Sequence, residues 1–339
     1  MSRRYLMLTA VVTLLIAACG AGPDPSAGGA IAIARPLAYS LTGDVELDYR
    51  VDMDMQMTTT FGDTFTALDP SIPSSMDMVM EMGFDARYRV EVGEAPGTYR
   101  VTMTMQNLEM GSGTIDMGAE SFDFDDLPQS EIDGLLEAQI GEMSFVIDEQ
   151  GEVLSMEVAG QTFDISGILS GTSPAGGGVG QMFGPALPGG DVQVGDTWTT
   201  TSEQSLFGMD PIVTEEVHTI TGRESRNGHD TWVIKTESST GAYTITWDDL
   251  IAMAESLGGL GEIGVGEGMA PGFEMSMRSA PSGSTLITWF DPDLGVSVAQ
   301  EITMNLAMTM EMAGMPNTGG RAVSMRIDGY THMTMELKG

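Results

Sequence analysis

A chain of 339 residues with 42% hydrophobic side chains is long enough for one large domain or two fused units with a real core. Its 49 acidic residues against 14 basic ones give a formal net charge of -35, which repels nucleic-acid phosphates and anionic lipid headgroups and excludes nucleic-acid binding. One cysteine, Cys19, leaves nothing to pair in a disulfide, so the fold must rest on packing and sheet hydrogen bonds.

In chain order, Arg3 and Arg4 precede an apolar run, residues 6–18, that is too short to span a bilayer; residues 1–18 read as a cleaved export signal. The run closes with Leu15-Ile16-Ala17-Ala18-Cys19-Gly20, which resembles a bacterial lipobox. That resemblance implies that Cys19 carries thioether-linked diacylglycerol, becomes the mature N-terminus and anchors the protein outside the cytoplasmic membrane, since two or more acyl chains anchor stably. The alternative is a plain secretory signal followed by a buried cysteine. Ser2-Arg3-Arg4-Tyr5-Leu6 matches a twin-arginine signal only loosely, and Gly20 is not the aspartate associated with inner-membrane retention, so the expected address is the outer membrane or cell surface. Residues 19–37, rich in Gly, Ala, Ser and Pro, read as a flexible tether.

Long alternating runs follow. Val45, Leu47, Tyr49, Val51, Met53, Met55 and Met57 share one parity, and Asp44, Glu46, Asp48, Arg50, Asp52, Asp54 and Gln56 the other, which predicts a strand with one apolar face. A second run carries Met76, Met78, Met80, Met82, Phe84, Ala86, Tyr88, Val90 and Val92, and after a Glu94-Ala95-Pro96-Gly97 turn a third carries Tyr99, Val101, Met103 and Met105. The period slips at Asn107-Leu108, which predicts a bulge. Helical spacing is confined to residues 130–140 and 248–257, each followed by an apolar strand that ends at Asp, turns through Gly and returns. Arg226-Asn227-Gly228 signals a tight hairpin, and residues 296–312 and 323–337 form the arms of a long one. The fold class is therefore mainly β: long antiparallel strands in a curved sheet or half-barrel, as two similar units with a short covering helix each. The expected units are residues 38–172 and 191–339, separated by a Gly- and Pro-rich linker at 173–190.

The strand-Asp-Pro-x-x-Gly-strand element from Trp289 to Val298, its Pro-less counterpart from Ile147 to Val153, and the lipobox tether resemble the LolA/LolB and LprG-like lipoproteins. The resemblance implies a curved antiparallel half-barrel with covering helices that carries acyl chains. The stretch from Leu187 to Trp198 is similar to a segment recurring in other bacterial lipoproteins.

Methionine is the compositional anomaly, with 29 residues mostly at inward strand positions. Its soft, unbranched side chain fills irregular space and suits surfaces that accept varied apolar partners. The expected lining set is Met53, Met55, Met78, Met80, Met103, Met105, Met308, Met310, Met333 and Met335. Two other readings remain: a closed, dry core in a structural lipoprotein recognised through its acidic face, and a copper(I) site on Met-x-Met pairs. His218, His229 and His332 are far apart and read as surface residues; Asp123, Asp125 and Asp126, or Asp291 and Asp293, lack a calcium-loop pattern. The literal Gly-x-Gly-x-x-Gly match at residues 259–264 follows a helical pattern and is discarded. No nucleophile elbow or metalloprotease motif is present. The four tryptophans, Trp198, Trp232, Trp247 and Trp289, read as core anchors. The expectation is a non-enzymatic carrier of an acyl-chain or similar apolar ligand, with no cofactor and no metal, whose partner is the membrane through Cys19.

Overall fold

The computed structural model describes residues 35–36, 44–68, 73–116, 121–123, 143–149, 153–158, 161–163, 185–204, 212–246, 274–280, 282–314 and 321–338. Cys19, both expected helices, Trp247 and the discarded Gly-rich match lie outside them. The first half supplies β1 (Arg35–Pro36), β2 (Val45–Phe61), α1 (Asp63–Leu68), β3 (Ser75–Val92), β4 (Thr98–Asp116), β5 (Ser121–Asp123), β6 (Met143–Asp148), β7 (Val153–Val158) and β8 (Gln161–Phe163). The second supplies β9 (Asp191–Val192), β10 (Thr197–Gln204), β11 (Ile212–Arg226), β12 (His229–Thr240), β13 (Tyr243–Thr246), β14 (Glu274–Ser279), β15 (Ser282–Asp291), β16 (Val296–Ala313) and β17 (Val323–Leu337).

Fifteen strands form one antiparallel sheet whose main path is β10-β11-β12-β15-β16-β17-β2-β3-β4-β6-β7-β8. It is curved and unclosed. Each half is a meander, and the halves meet where β17 pairs with β2 along thirteen residues, from Met325↔Phe61 to Leu337↔Tyr49. The N-terminal and C-terminal methionine runs therefore share one surface. The pair β1 and β9 stands apart, so Arg35 and Pro36, at the end of the expected tether, lie against Val192 and Asp191.

Alternation decides which face is buried. In β2 the odd positions from Tyr49 to Thr59 are all buried, while Asp52, Asp54 and Gln56 are exposed. Register carries that face across strands, pairing Met53 with Met82 and Met333, and Met55 with Met80 and Thr331. Like charges stacked on the outer face would repel, and arginines intervene: Arg50 bonds Asp52 and Glu109, and Arg87 bonds Asp48.

The expected bulge falls in place: Gly83 opposes Glu109 and Asp85 opposes Gln106, leaving one extra residue on β4. Asn107 takes φ 51° there and its amide donates to Asp85 at 2.7 Å. A second slip lies between Met80 and Met82. The hairpin of β11 and β12 closes as predicted, with Asn227 and Gly228 at φ 52° and 86°, the conformation a two-residue turn requires. A third slip, between Trp289 and Phe290 opposite β16, interrupts the alternation read there and sends Val298 to the other face, beside Val233, Ile287, Trp289 and Ala299.

Two apolar clusters line the inner face. The first is aromatic and branched and joins residues of both halves: Tyr49, Tyr88, Phe145, Trp232, Leu286 and Phe290 among others. Leu187 and Val192 are buried in it, and Trp198 Nε1 donates to the Ala186 carbonyl at 2.8 Å. Tyr49 Oη donates to the Ser297 carbonyl at 2.7 Å and meets Tyr88 edge to face, with centroids 5.3 Å apart. Burial pushes both phenols far above their ordinary pKa. The second cluster is mostly methionine.

Candidate functional site

Met55, Met57, Met78 and Met80 are buried with Ile115 and Ile327, and Met76, Met110, Leu306, Met308 and Met325 pack half-buried around them. Eleven thioether or branched side chains from five strands thus meet on the inner face of one end of the sheet. At its centre the alternation places Gly329 between Leu306 and Met57. A residue without a side chain leaves a cleft bounded by Met55, Met57, Met304, Leu306, Gly329 and Thr331, with about 10 Å³ of free volume. That is room for about one water, not for an acyl chain. A Cβ on Gly329 would stand 3.6 Å from Leu306 Cβ and 3.9 Å from Met57 Cγ, so an alanine fits.

The expected lining residues divide between the two clusters. Met55, Met78, Met80 and Met308 belong to the methionine cluster. Met53, Met103, Met333 and Met335 are buried in the aromatic one, and Met105 packs half-buried against it. Met310 is half-buried on the same face, opposite Met325 and Met277. All ten share the inner face, but they do not line a single hollow. Met57, Met304, Leu306, Gly329 and Thr331 are cleft residues the lining set omits; the first three continue parity runs already legible, whereas Gly329 has no periodic signal.

The histidine expectation needs one correction. His218 is wholly buried: its stretch of β11 puts Ile212, Thr214, Glu216, His218 and Ile220 all inward. Its Nδ1 lies 2.9 Å from Thr236 Oγ1, its Nε2 lies 2.9 Å from Thr200 Oγ1, and its ring stacks on Trp198 at 5.0 Å. Thr200 also donates to Glu216 at 3.3 Å, and Thr214 and Thr240 share a hydrogen bond. Burial lowers the His218 pKa to about 4, so the ring is neutral at pH 7. Both ring nitrogens thus meet threonine hydroxyls, with Glu216 Oε2 3.7 Å from Nε2, and among the described residues no group of three or more His, Cys, Asp or Glu side chains can hold a metal ion.

Nearby on the same face, Trp232, Thr288 and Gln300 are 0–1% exposed. Trp232 Nε1, Thr288 Oγ1 and both amide atoms of Gln300 have no hydrogen-bond partner among the described residues. Each such group left unsatisfied costs about 1–3 kcal/mol. Trp232 and Trp289 are buried anchors as expected, and Trp198 is half-buried. Asp291 serves its turn: its Oδ1 accepts the amides of Asp293 and Leu294, and its Oδ2 meets His229 Nδ1 at 2.9 Å.

No family model matches the chain, and no curated protein matches it. Among solved structures, one neighbour is an acetoacetate decarboxylase-like enzyme from Sphingomonas wittichii RW1, 9% identical over 86% of this chain and 92% of that one, with a TM-score of 0.12. A likeness that slight carries no argument about this chain. Among the described residues no helix is long and apolar enough to cross a membrane.

Proposed function

We propose that this protein is a lipoprotein, anchored through Cys19 outside the cytoplasmic membrane, that binds an acyl chain or similarly apolar ligand without catalysing a reaction. The observation that carries the reading is the methionine cluster around Gly329, where the buried Met55 and Met57 and the half-buried Met304 border a cleft floored by a glycine. Thioether side chains turn through three soft bonds, so the cleft can widen around a guest without breaking backbone pairing. Burying the guest's surface contributes about 25 cal/mol per Å², enough for a long chain to offset the packing lost. The kinship with LolA/LolB and LprG-like lipoproteins, a duplicated construction and a covering helix in each unit belong to this proposal as well; the shared alternation of the two meanders supports them.

A closed-core structural lipoprotein is the second reading, favoured by the small cleft volume and by the burial of Met55, Met78 and Met80. The two separate on Gly329→Val, which fills the cleft with a residue suited to a strand. For a carrier, an acyl chain bearing an environment-sensitive fluorophore binds the unaltered protein with a blue shift, and the variant weakens it about tenfold while keeping its far-ultraviolet spectrum. No blue shift with the unaltered protein would leave the structural reading.

A further inference from the structure

Three residues on the inner face whose polar side-chain atoms have no hydrogen-bond partner among the described residues lie along one diagonal. Gln300 on β16 pairs directly with Thr288 on β15, and Trp232 on β12 pairs with Phe290, two residues from Thr288. Directly opposed side chains on one face stand about 5 Å apart, and diagonal ones remain within reach of an indole. The three are buried, and all four of their polar side-chain atoms are unsatisfied among the described residues. On the other side Gln300 pairs with Met335, which pairs with Val51, so the group borders the methionine runs. Along β16, Leu306 at the cleft and Gln300 are six residues apart, roughly 20 Å of strand. Met304 and Ile302 occupy the inward positions between them.

We infer that, in the acyl-binding reading on which this inference rests, Trp232, Thr288 and Gln300 receive the polar head of the ligand while its tail lies toward Gly329. The donors and acceptors on offer define that head. Trp232 supplies a donor, Gln300 both a donor pair and an acceptor, and Thr288 either. A hydroxyl or hydroxyl-bearing ester satisfies such a set; a carboxylate, acceptor only, leaves the Gln300 carbonyl unpaired. No basic side chain is paired with Thr288 or Gln300 across the sheet. Arg223, over the Trp232 ring, has its charge met by Asp230 through Nη2, while its buried Nε adds one more donor without a hydrogen-bond partner among the described residues. The ligand class is therefore an uncharged amphiphile whose head carries a hydroxyl, free or on an ester.

Equilibrium binding of a long-chain alcohol, a monoacylglycerol and a fatty-acid anion of equal chain length tests this on the mature protein at pH 8. The alcohol and monoacylglycerol are expected to bind about tenfold more tightly than the anion, and Gln300→Met with Thr288→Val to erase most of that preference. Since the substitutions remove unsatisfied buried groups, the ligand-free variant is expected to melt no lower than the parent; Gln300→Met alone serves should the pair not fold. Binding of the anion as tight as the neutral amphiphiles, or a preference that survives in the variants, overturns the head-group assignment while leaving acyl binding intact. Failure of all three probes overturns acyl binding itself.

Discussion

His218 shows how far a single residue departs from its sequence reading. Nothing in residues 212–220 marks the histidine as inward except its parity with Ile212 and Ile220, and a polar residue in an apolar register is as legible as a leucine once the alternation is followed through it. What could not be read is that Trp198, Thr200 and Thr236 arrive from neighbouring strands to enclose it. Its protonated form is disfavoured in the folded state, with a pKa of about 4 against an ordinary 6.5. The unfolded chain therefore binds the extra proton between those values, and stability present above pH 6.5 declines as pH falls toward 4. The loss attributable to this group is on the order of 3 kcal/mol. Denaturant titrations at pH 7 and pH 4.5 are expected to show a smaller stability difference in His218→Gln than in the parent, the shared titration of surface carboxylates cancelling in the comparison. Asp291, read only as a turn residue, accepts two amides and meets His229; Asp291→Ala is expected to cost about 1–3 kcal/mol by the same titration at pH 7.

At the scale of the strand, alternation was a good guide and bulges were not. The faces of β2 follow their parity without exception from residue 49 to 59, because a period of two admits one buried face only. The bulge at Asn107 showed as a slip in period with an asparagine able to take positive φ. The one beside Val298 gave no such sign, since valine is apolar and both faces are covered there. The pairing of β17 with β2, which assembles the methionine face, depends on contacts nearly three hundred residues apart and left no local mark. A strand this regular should be sensitive to volume but not to identity. Met80, at 1% exposure, is expected to lose about 2–5 kcal/mol as Met80→Ala and less than about 1.5 kcal/mol as Met80→Leu. Equal losses for the two would show that the cluster is not packed as described. Gly329→Ala, which meets only ordinary contacts, is expected to raise the melting temperature of the empty protein, by about 0.5–1 kcal/mol of added stability.

Across the whole molecule, two meanders merge into a single curved sheet with an acidic outer face and an inner face that passes from methionine around β2 to hydroxyl groups on β11 and β12. The mainly β architecture could be read from periodicity; the division of the inner face into aromatic and methionine clusters could not, because it depends on which ends of distant strands converge. In the proposed lipoprotein reading the acidic surface repels anionic headgroups, which leaves membrane attachment to Cys19 alone. Cys19→Ser is expected to move the protein from the membrane to the soluble fraction of fractionated cells, with no change in its circular dichroism. The most direct measurement of the central claim is native mass spectrometry of the protein released from membranes in mild detergent, followed by lipid extraction. The mature chain is expected to carry, besides its covalent anchor, one extractable uncharged amphiphile, absent from the Gly329→Val variant. A bare mass in both, with no uptake of an added long-chain alcohol or monoacylglycerol, would contradict it.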